Sequence, residues 1–189
     1  MKNNCDIRAP GSVLRDNFIL TSNLIIIFKE EIMPSKKLKK YLDDNNIKYV
    51  VIRHSPAFTA QEVAGMAHIP GKEMAKTVMV TIEGEMSMIV IPASLKIDFS
   101  MLKKVTGVSD IELATEEEFK YMFPDCEIGA MPPFGNLYNL NVWVEKSLSE
   151  DDEIAFTACT HSELVKMSYK DFEKLVKPKM GTFALSIHF

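Results

Sequence analysis

The chain has 189 residues and little of what would classify it quickly. Cysteine is scarce: Cys5, Cys126 and Cys159 are an odd number, far apart and without a CxxC pair. That suggests neither a disulfide framework nor a zinc knuckle, and it fits a reducing cytoplasm best. A cationic excess is missing too. The formal charge is -4, with charges of both signs mixed along the chain, which excludes the global basic field that non-specific DNA or RNA binding draws on. Any RNA contact has to come from a local patch. A membrane-spanning run is also missing. "FILTSNLIIIF", from Phe18 to Phe28, is short, broken by Thr21, Ser22 and Asn23, and followed at once by Lys29, Glu30 and Glu31 without a small-residue cleavage site.

What is present is enough apolar sequence, 47%, to bury one core at a length typical of one domain. "KEEIM", ending at Met33, is what a purine-rich ribosome-binding site and start codon give when translated. Met33 is therefore expected as the true start, with 1–32 as a misassigned or disordered extension, a domain over 33–178 and a tail over 179–189. Ser35 stands where it can cap a helix reaching about Asn45, with Leu38, Tyr41 and Leu42 on one face and Lys36, Lys37, Lys39 and Lys40 around them. "KYVVIR" reads as a strand ending at His54, and Thr59 with Glu62 has capping-box spacing for a second helix.

"KTVMVTI" and "MSMIVIP", joined by "EGE", read as a buried hairpin. A short helix after Asp98, a strand "IELA" and a helix "TEEEFKYMF" capped by Thr115 follow. "LNVWVEKSL", "DEIAFTAC" and "ELVKMS" read as strands, and "SYKDFEKLV" as a helix capped by Ser168. Helices and strands alternate irregularly with several hairpin-like links. The fold class expected is α+β, a single domain with a mixed, mostly antiparallel sheet, rather than a doubly wound one.

"CEIGAMPPFG", from Cys126 to Gly135, holds two glycines and two adjacent prolines. Gly129 and Gly135 permit backbone closed to other residues, while Pro132 and Pro133 fix φ and remove donors. The remaining amides, at Gly129, Ala130, Met131, Phe134 and Gly135, can be aimed at a carbonyl as an oxyanion hole is; a stiffened surface turn is the alternative. Lys76 opens a strand, where its ammonium either reaches solvent or enters a cleft. His161 follows a strand and either binds a substrate or caps the strand end. Cys126, Cys159, His161 and His54 make a poor metal set, because only Cys159 and His161 are close in sequence, and Cys159 lacks an activating neighbour for nucleophilic work. No metal or cofactor is expected.

Three segments, "HSPAFTAQEVAGMAHIPGKEMAKTVMV", "GAMPPFGNLYNLNVWVEKSL" and "THSELVKMSYKDFEKLV", together resemble the YbaK/prolyl-tRNA synthetase-associated domain family, in family order from about Met33 to Pro178. The resemblance implies a curved, barrel-like sheet flanked by helices and a cytoplasmic hydrolase that deacylates mischarged tRNA. It carries the family's lysine onto Lys76, its GxxxP loop onto Gly129 to Pro133, and its later histidine onto His161. Lys76 would then hold a phosphate or carbonyl, the amides of Ala130 and Met131 the ester or amino acid, and His161 would orient it. Where many relatives read "NAGTH", this chain has Thr157, Ala158, Cys159, Thr160 and His161, so Cys159 is expected to narrow the pocket.

Selection would be by size, admitting alanine, serine or cysteine. Phe134 or Tyr138 would stack the terminal adenine, and Lys36, Lys37, Lys39 and Lys40 would touch the acceptor stem or stay a solvated face. A synthetase or elongation factor is the expected helper. The alternative is a non-catalytic module that binds aminoacyl-adenosine, tRNA or a partner protein in the same cleft.

Overall fold

A computed structural model of the chain describes residues 35–186. The expected start at Met33 and the extension before it lie outside the described residues. In chain order the elements are α1 (Lys36–Asp44), β1 (Tyr49–Arg53), α2 (Ala60–Met66), β2 (Ala75–Ile82), β3 (Glu85–Pro92), β4 (Leu95–Ile97), α3 (Phe99–Thr106), β5 (Ile111–Leu113) and α4 (Glu116–Phe119). Then come β6 (Asn141–Glu145), β7 (Glu153–Thr157), β8 (Glu163–Ser168), α5 (Tyr169–Val176), β9 (Lys179–Gly181) and β10 (Ala184–Ser186). The class is α+β.

The hairpin of β2 and β3 is the centre of a five-stranded mixed sheet in the order β5-β2-β3-β6-β9. Its turn is Glu83-Gly84, with φ of 51° and 77°, the backbone that suits a tight link between right-twisted strands. β6 and β9 join in parallel, while β2, β3 and β5 pair antiparallel. Period-two alternation gives the sheet two apolar faces. Met88, Val90, Val142 and Val144 turn to the main core with Phe134, Phe156 and Phe172, and Val80, Ile89 and Ile91 turn to a second core with Leu102 and Phe183. Each such fully buried side chain contributes roughly 1.5–3 kcal/mol.

A three-stranded antiparallel sheet, β1-β8-β7, lies apart in hydrogen bonding from the larger one and meets it at an isolated bridge between Met74 and Ala155. That junction matters for function, because β2 begins at Ala75 and β7 ends at Thr157. A smaller core of Ala57, Val63, Ala64, Ile69, Met74, Ala93, Ala155 and Leu164 packs α2 onto the same place.

Three local expectations change. Ser35 precedes α1 in a left-handed conformation and makes no side-chain cap; it is buried and donates its hydroxyl to Glu163 Oε1 at 3.0 Å. The helix predicted over "TEEEFKYMF" is one turn, with the Thr115–Glu118 capping box formed, because Phe119 and Phe123 both turn into the core and Pro124 follows. The segment expected as a tail is built into the fold. Phe183 is fully buried and donates its amide to the buried Glu145 Oε2 at 2.6 Å, while β9 pairs with β6 and β10 with β4.

Candidate functional site

Three loops meet where the two sheets join, and their backbones strap them together. The amides of His54 and Ala57 donate to the carbonyls of Ser162 and His161 at 3.0 and 3.1 Å, which ties the segment before α2 to the one after β7. The segment after β7 is tied in turn to the Cys126–Gly135 loop. Glu127 N–H donates to Cys159 O and Cys159 N–H to Ala130 O, both at 2.9 Å, and His161 N–H donates to Glu127 Oε2 at 2.8 Å. Groups far apart in sequence are thereby held in a fixed frame, as a preorganised site requires.

The frame encloses a cavity of about 170 Å³, lined among others by Phe58, Thr59, Ala75, Lys76, Thr77, Gly129, Thr157 and His161. This is well below the roughly 300–1,000 Å³ of sites that take drug-sized ligands, so a small group fits. The structure thus brings Lys76, Gly129 and His161 to one hollow. Lys76 is half-buried at the start of β2, 3.4 Å from the carbonyl of Ala93, and among the described residues no carboxylate pairs with it. Burial alone lowers its pKa below the ordinary lysine value. An ammonium left without a counter-ion in a hollow is poised for an anionic or carbonyl oxygen.

His161 Nε2–H donates to the Ile128 carbonyl at 2.9 Å, since a carbonyl can only accept. In the neutral ring that leaves the lone pair on Nδ1. Gly129 has φ of +86°, the left-handed backbone that favours glycine, and a Cβ there would stand in ordinary contact with His161 Cε1 at 3.5 Å. Its amide donates to the thioether of the buried Met131 at 3.2 Å, a weak acceptor.

The rest of the loop is placed otherwise than expected. Ala130, Met131, Pro132, Pro133, Phe134 and Gly135 are all buried, and none lines the cavity. The Ala130 amide is taken by Glu127 O at 3.0 Å and that of Phe134 by Pro132 O at 2.7 Å, so neither is open to a ligand. Phe134 is fully buried with its ring against Tyr41, Phe156 and Phe172, which corrects its reading as a stacking residue. Tyr138 is corrected too. Phe123 lies 4.5 Å from it by ring centroids, Lys37 Nζ sits 4.0 Å over its ring, and its hydroxyl donates to Asp125.

The lysines of α1 are largely committed within the chain. Lys37 donates to Leu137 O at 2.8 Å, Lys39 pairs with Glu163 at 2.6 Å and Lys40 with Asp44 at 2.9 Å, while Lys36 opens the same helix.

Cysteine also departs from expectation: Cys126 and Cys159 form a disulfide, which links the loop bearing Gly129 to the segment bearing His161. Cys159 has φ of +64°, a left-handed backbone natural to glycine, and it stands where the resemblance expects glycine. It is fully buried and lines no part of the cavity, so the residue facing the hollow from this strand end is Thr157. Asp125, Cys126 and Cys159 gather within 4.8 Å, but their sulfurs bind each other, and neither His54 nor His161 joins them.

Sequence reasoning missed Phe58, Thr77 and Thr157 as lining residues, and Gln61, whose amide donates to the same Ala93 carbonyl as Lys76 at 3.0 Å. Position after a strand or before a capping box was the only signal available for them.

Comparison with known proteins bears on the family and the fold. The family model of the aminoacyl-tRNA editing domain matches residues 54–175, which include Lys76, Gly129 and His161. A prolyl-tRNA editing protein, ProX, of Acetoanaerobium sticklandii is 29% identical over 149 residues, covering 75% of this chain and 90% of that protein. Among solved structures, the hypothetical protein APE2540 matches with a TM-score of 0.71 at 17% identity, over 79% of this chain and all of the other. A candidate trans-editing enzyme for prolyl tRNA synthetase matches with a TM-score of 0.68 at 18% identity, over 80% and 97% of the two chains. These two structures speak for the fold, and the family model covers more than half of the sequence. The chain belongs to the aminoacyl-tRNA editing domain family.

Proposed function

We propose that this protein is a free-standing, YbaK-like deacylase that acts in the cytoplasm on mischarged tRNA, hydrolysing the ester of a small amino acid such as alanine, serine or cysteine. The observation that carries the reading is the placement of Lys76, Gly129 and His161 around one cavity of about 170 Å³. The relative described as a prolyl-tRNA editing protein makes a tRNA for proline the first substrate to try.

The chemistry asks little of the protein, because an aminoacyl ester is already activated. Its carbonyl oxygen gains negative charge as water adds, and the Lys76 ammonium is the donor at hand. The half-buried ammonium acts more strongly there than it would in open water. His161 holds its ring through Ile128 and offers Nδ1 to the attacking water or to the ribose hydroxyl beside the ester. The proton it accepts is returned to the leaving ribose oxygen. The size of the hollow admits a small side chain and excludes a larger cognate one, the second sieve of editing. Thr157, not Cys159, is the residue that trims it.

The test is a panel of tRNAs charged with alanine, serine, cysteine and proline, incubated with the purified full chain. Faster deacylation of at least one small amino acid than of proline is expected. No acceleration with any of them, together with retained tRNA binding, would mean a binding module instead.

A further inference from the structure

We propose that the protein carries a second binding site, separate from the cavity of Lys76, and that its ligand is a free α-amino acid held as a zwitterion. The site is a hollow of about 320 Å³ on one face of the five-stranded sheet, where α3 ends. None of its lining residues lines the first cavity, and the proposal does not depend on the deacylase reading.

The sequence of β3 makes the hollow. Residues along the strand alternate between the two cores, so Ser87 shares its side with Ile89 and Ile91, which pack with Leu102 of α3. That cover stops short of Ser87. α3 ends at Thr106, closed by Gly107 at φ of +74°, and Thr106 and Val108 form one edge of the hollow while Ser87 lies inside it. Ser87 is only 2% exposed, and among the described residues its hydroxyl makes no hydrogen bond. A buried hydroxyl without a partner is destabilising, whereas valine would suit a strand at this position. A polar group of a ligand in the hollow is the partner that the serine lacks.

The rim supplies charge of both signs. Glu83 and Glu85 flank Gly84 at the turn between β2 and β3, Lys179 opens β9, and all three are exposed and line the hollow. Among the described residues none of the three is in an ion pair; Lys179 Nζ lies instead 5.0 Å from the centroid of the Trp143 ring. Opposite charges that share a hollow without meeting leave a gap, and a molecule carrying both signs closes it. An α-amino acid does this with its carboxylate accepting from Lys179 and the Ser87 hydroxyl, and its ammonium donating to Glu83 or Glu85. Ile82, Val108 and the Trp143 ring are the apolar wall for its side chain. A simple anion would face two carboxylates and a simple cation would face Lys179, so neither matches the rim. The volume suits a molecule of this size, near the lower end of small-ligand sites.

Trp143 is the chain's single tryptophan, so its fluorescence and its one indole N–H signal in a nitrogen-edited NMR spectrum report on this hollow directly. Titrating the full chain with L-alanine or L-valine at constant ionic strength should shift both signals, with a midpoint of roughly 0.1–10 mM. N-acetyl-L-alanine, which lacks the ammonium, and L-alaninamide, which lacks the carboxylate, should each need at least about 5-fold more. Ser87→Ala should leave Tm equal or higher, because an unmade hydrogen bond is gone, and weaken binding about 10-fold. Glu85→Gln and Lys179→Gln should each weaken it about 2- to 5-fold.

If neither signal moves up to about 50 mM of either amino acid, the site is overturned. So it is if the two blocked analogues shift the signals as readily as L-alanine, which would be a general solute effect. A midpoint that Ser87→Ala, Glu85→Gln and Lys179→Gln all leave unchanged would place the ligand elsewhere and also overturn it. Charged tRNA has no part in these readouts, so failure of the proposed function and failure of this site are told apart.

Discussion

Within "CEIGAMPPFG" the chain changes role at Gly129. On one side, Glu127, Ile128 and Gly129 are exposed and hold His161 through a carboxylate and a carbonyl. On the other, Ala130 to Gly135 are buried, with Phe134 packed among three other rings. Glycines and prolines occur on the buried side for packing as much as for shape: a Cβ on Gly135 would lie 2.6 Å from Val142 Cγ2. One half presents chemistry and the other anchors it, so the stiffness that the sequence suggested comes from burial rather than from the prolines alone.

Four changes sharpen or break that division. The largest effect is expected at the anchor: Phe134→Ala should destabilise the protein by about 3–5 kcal/mol, measured by urea unfolding, and activity should fall only as the folded fraction falls. Next is Gly135→Ala, where the new methyl group meets Val142 and should cost about 1–3 kcal/mol by the same measurement. Gly129→Ala should cost less, about 1–2 kcal/mol from its left-handed backbone, yet reduce deacylation more than its stability loss explains. If Gly135→Ala and Gly129→Ala lowered activity in equal proportion to stability, the division at Gly129 would be wrong.

The smallest effect is in pH. Burial lowers the Lys76 pKa from 10.5, so the catalysed rate, after subtraction of spontaneous hydrolysis, should decline with rising pH before an ordinary lysine would titrate. Over that same window the unfolded chain binds more protons at this group, so its contribution to folded-state stability rises with pH. Activity should therefore be lost without unfolding. Lys76→Arg, which keeps its charge, should remove the early decline from whatever rate it retains.

Much of the architecture was legible because it rests on local chemistry. Thr59 with Glu62 and Asp98 ahead of Phe99 announce helix starts that form with the expected bonds, and the alternation in "MSMIVIP" sorts itself onto two cores. The site was legible mainly through resemblance, since the spacing of Lys76, Gly129 and His161 says nothing of their meeting. What stayed hidden depends on tertiary placement. Cys126 and Cys159 are 33 residues apart and meet only because the β7 end lies against the loop. The polar-looking end of the chain reads as a tail because Phe183, a deeply buried ring, stands between two three-residue strands. Phe58 looks like any aromatic residue ahead of a helix until its exposure is known.

The most direct test of the account is single-turnover deacylation of alanine-charged proline tRNA by wild type and by Lys76→Ala, with the Tm of each measured alongside. The account predicts a rate for Lys76→Ala close to spontaneous hydrolysis while its Tm stays at or above that of wild type, because a half-buried unpaired charge has been removed. A folded Lys76→Ala protein that deacylates as fast as wild type would contradict it.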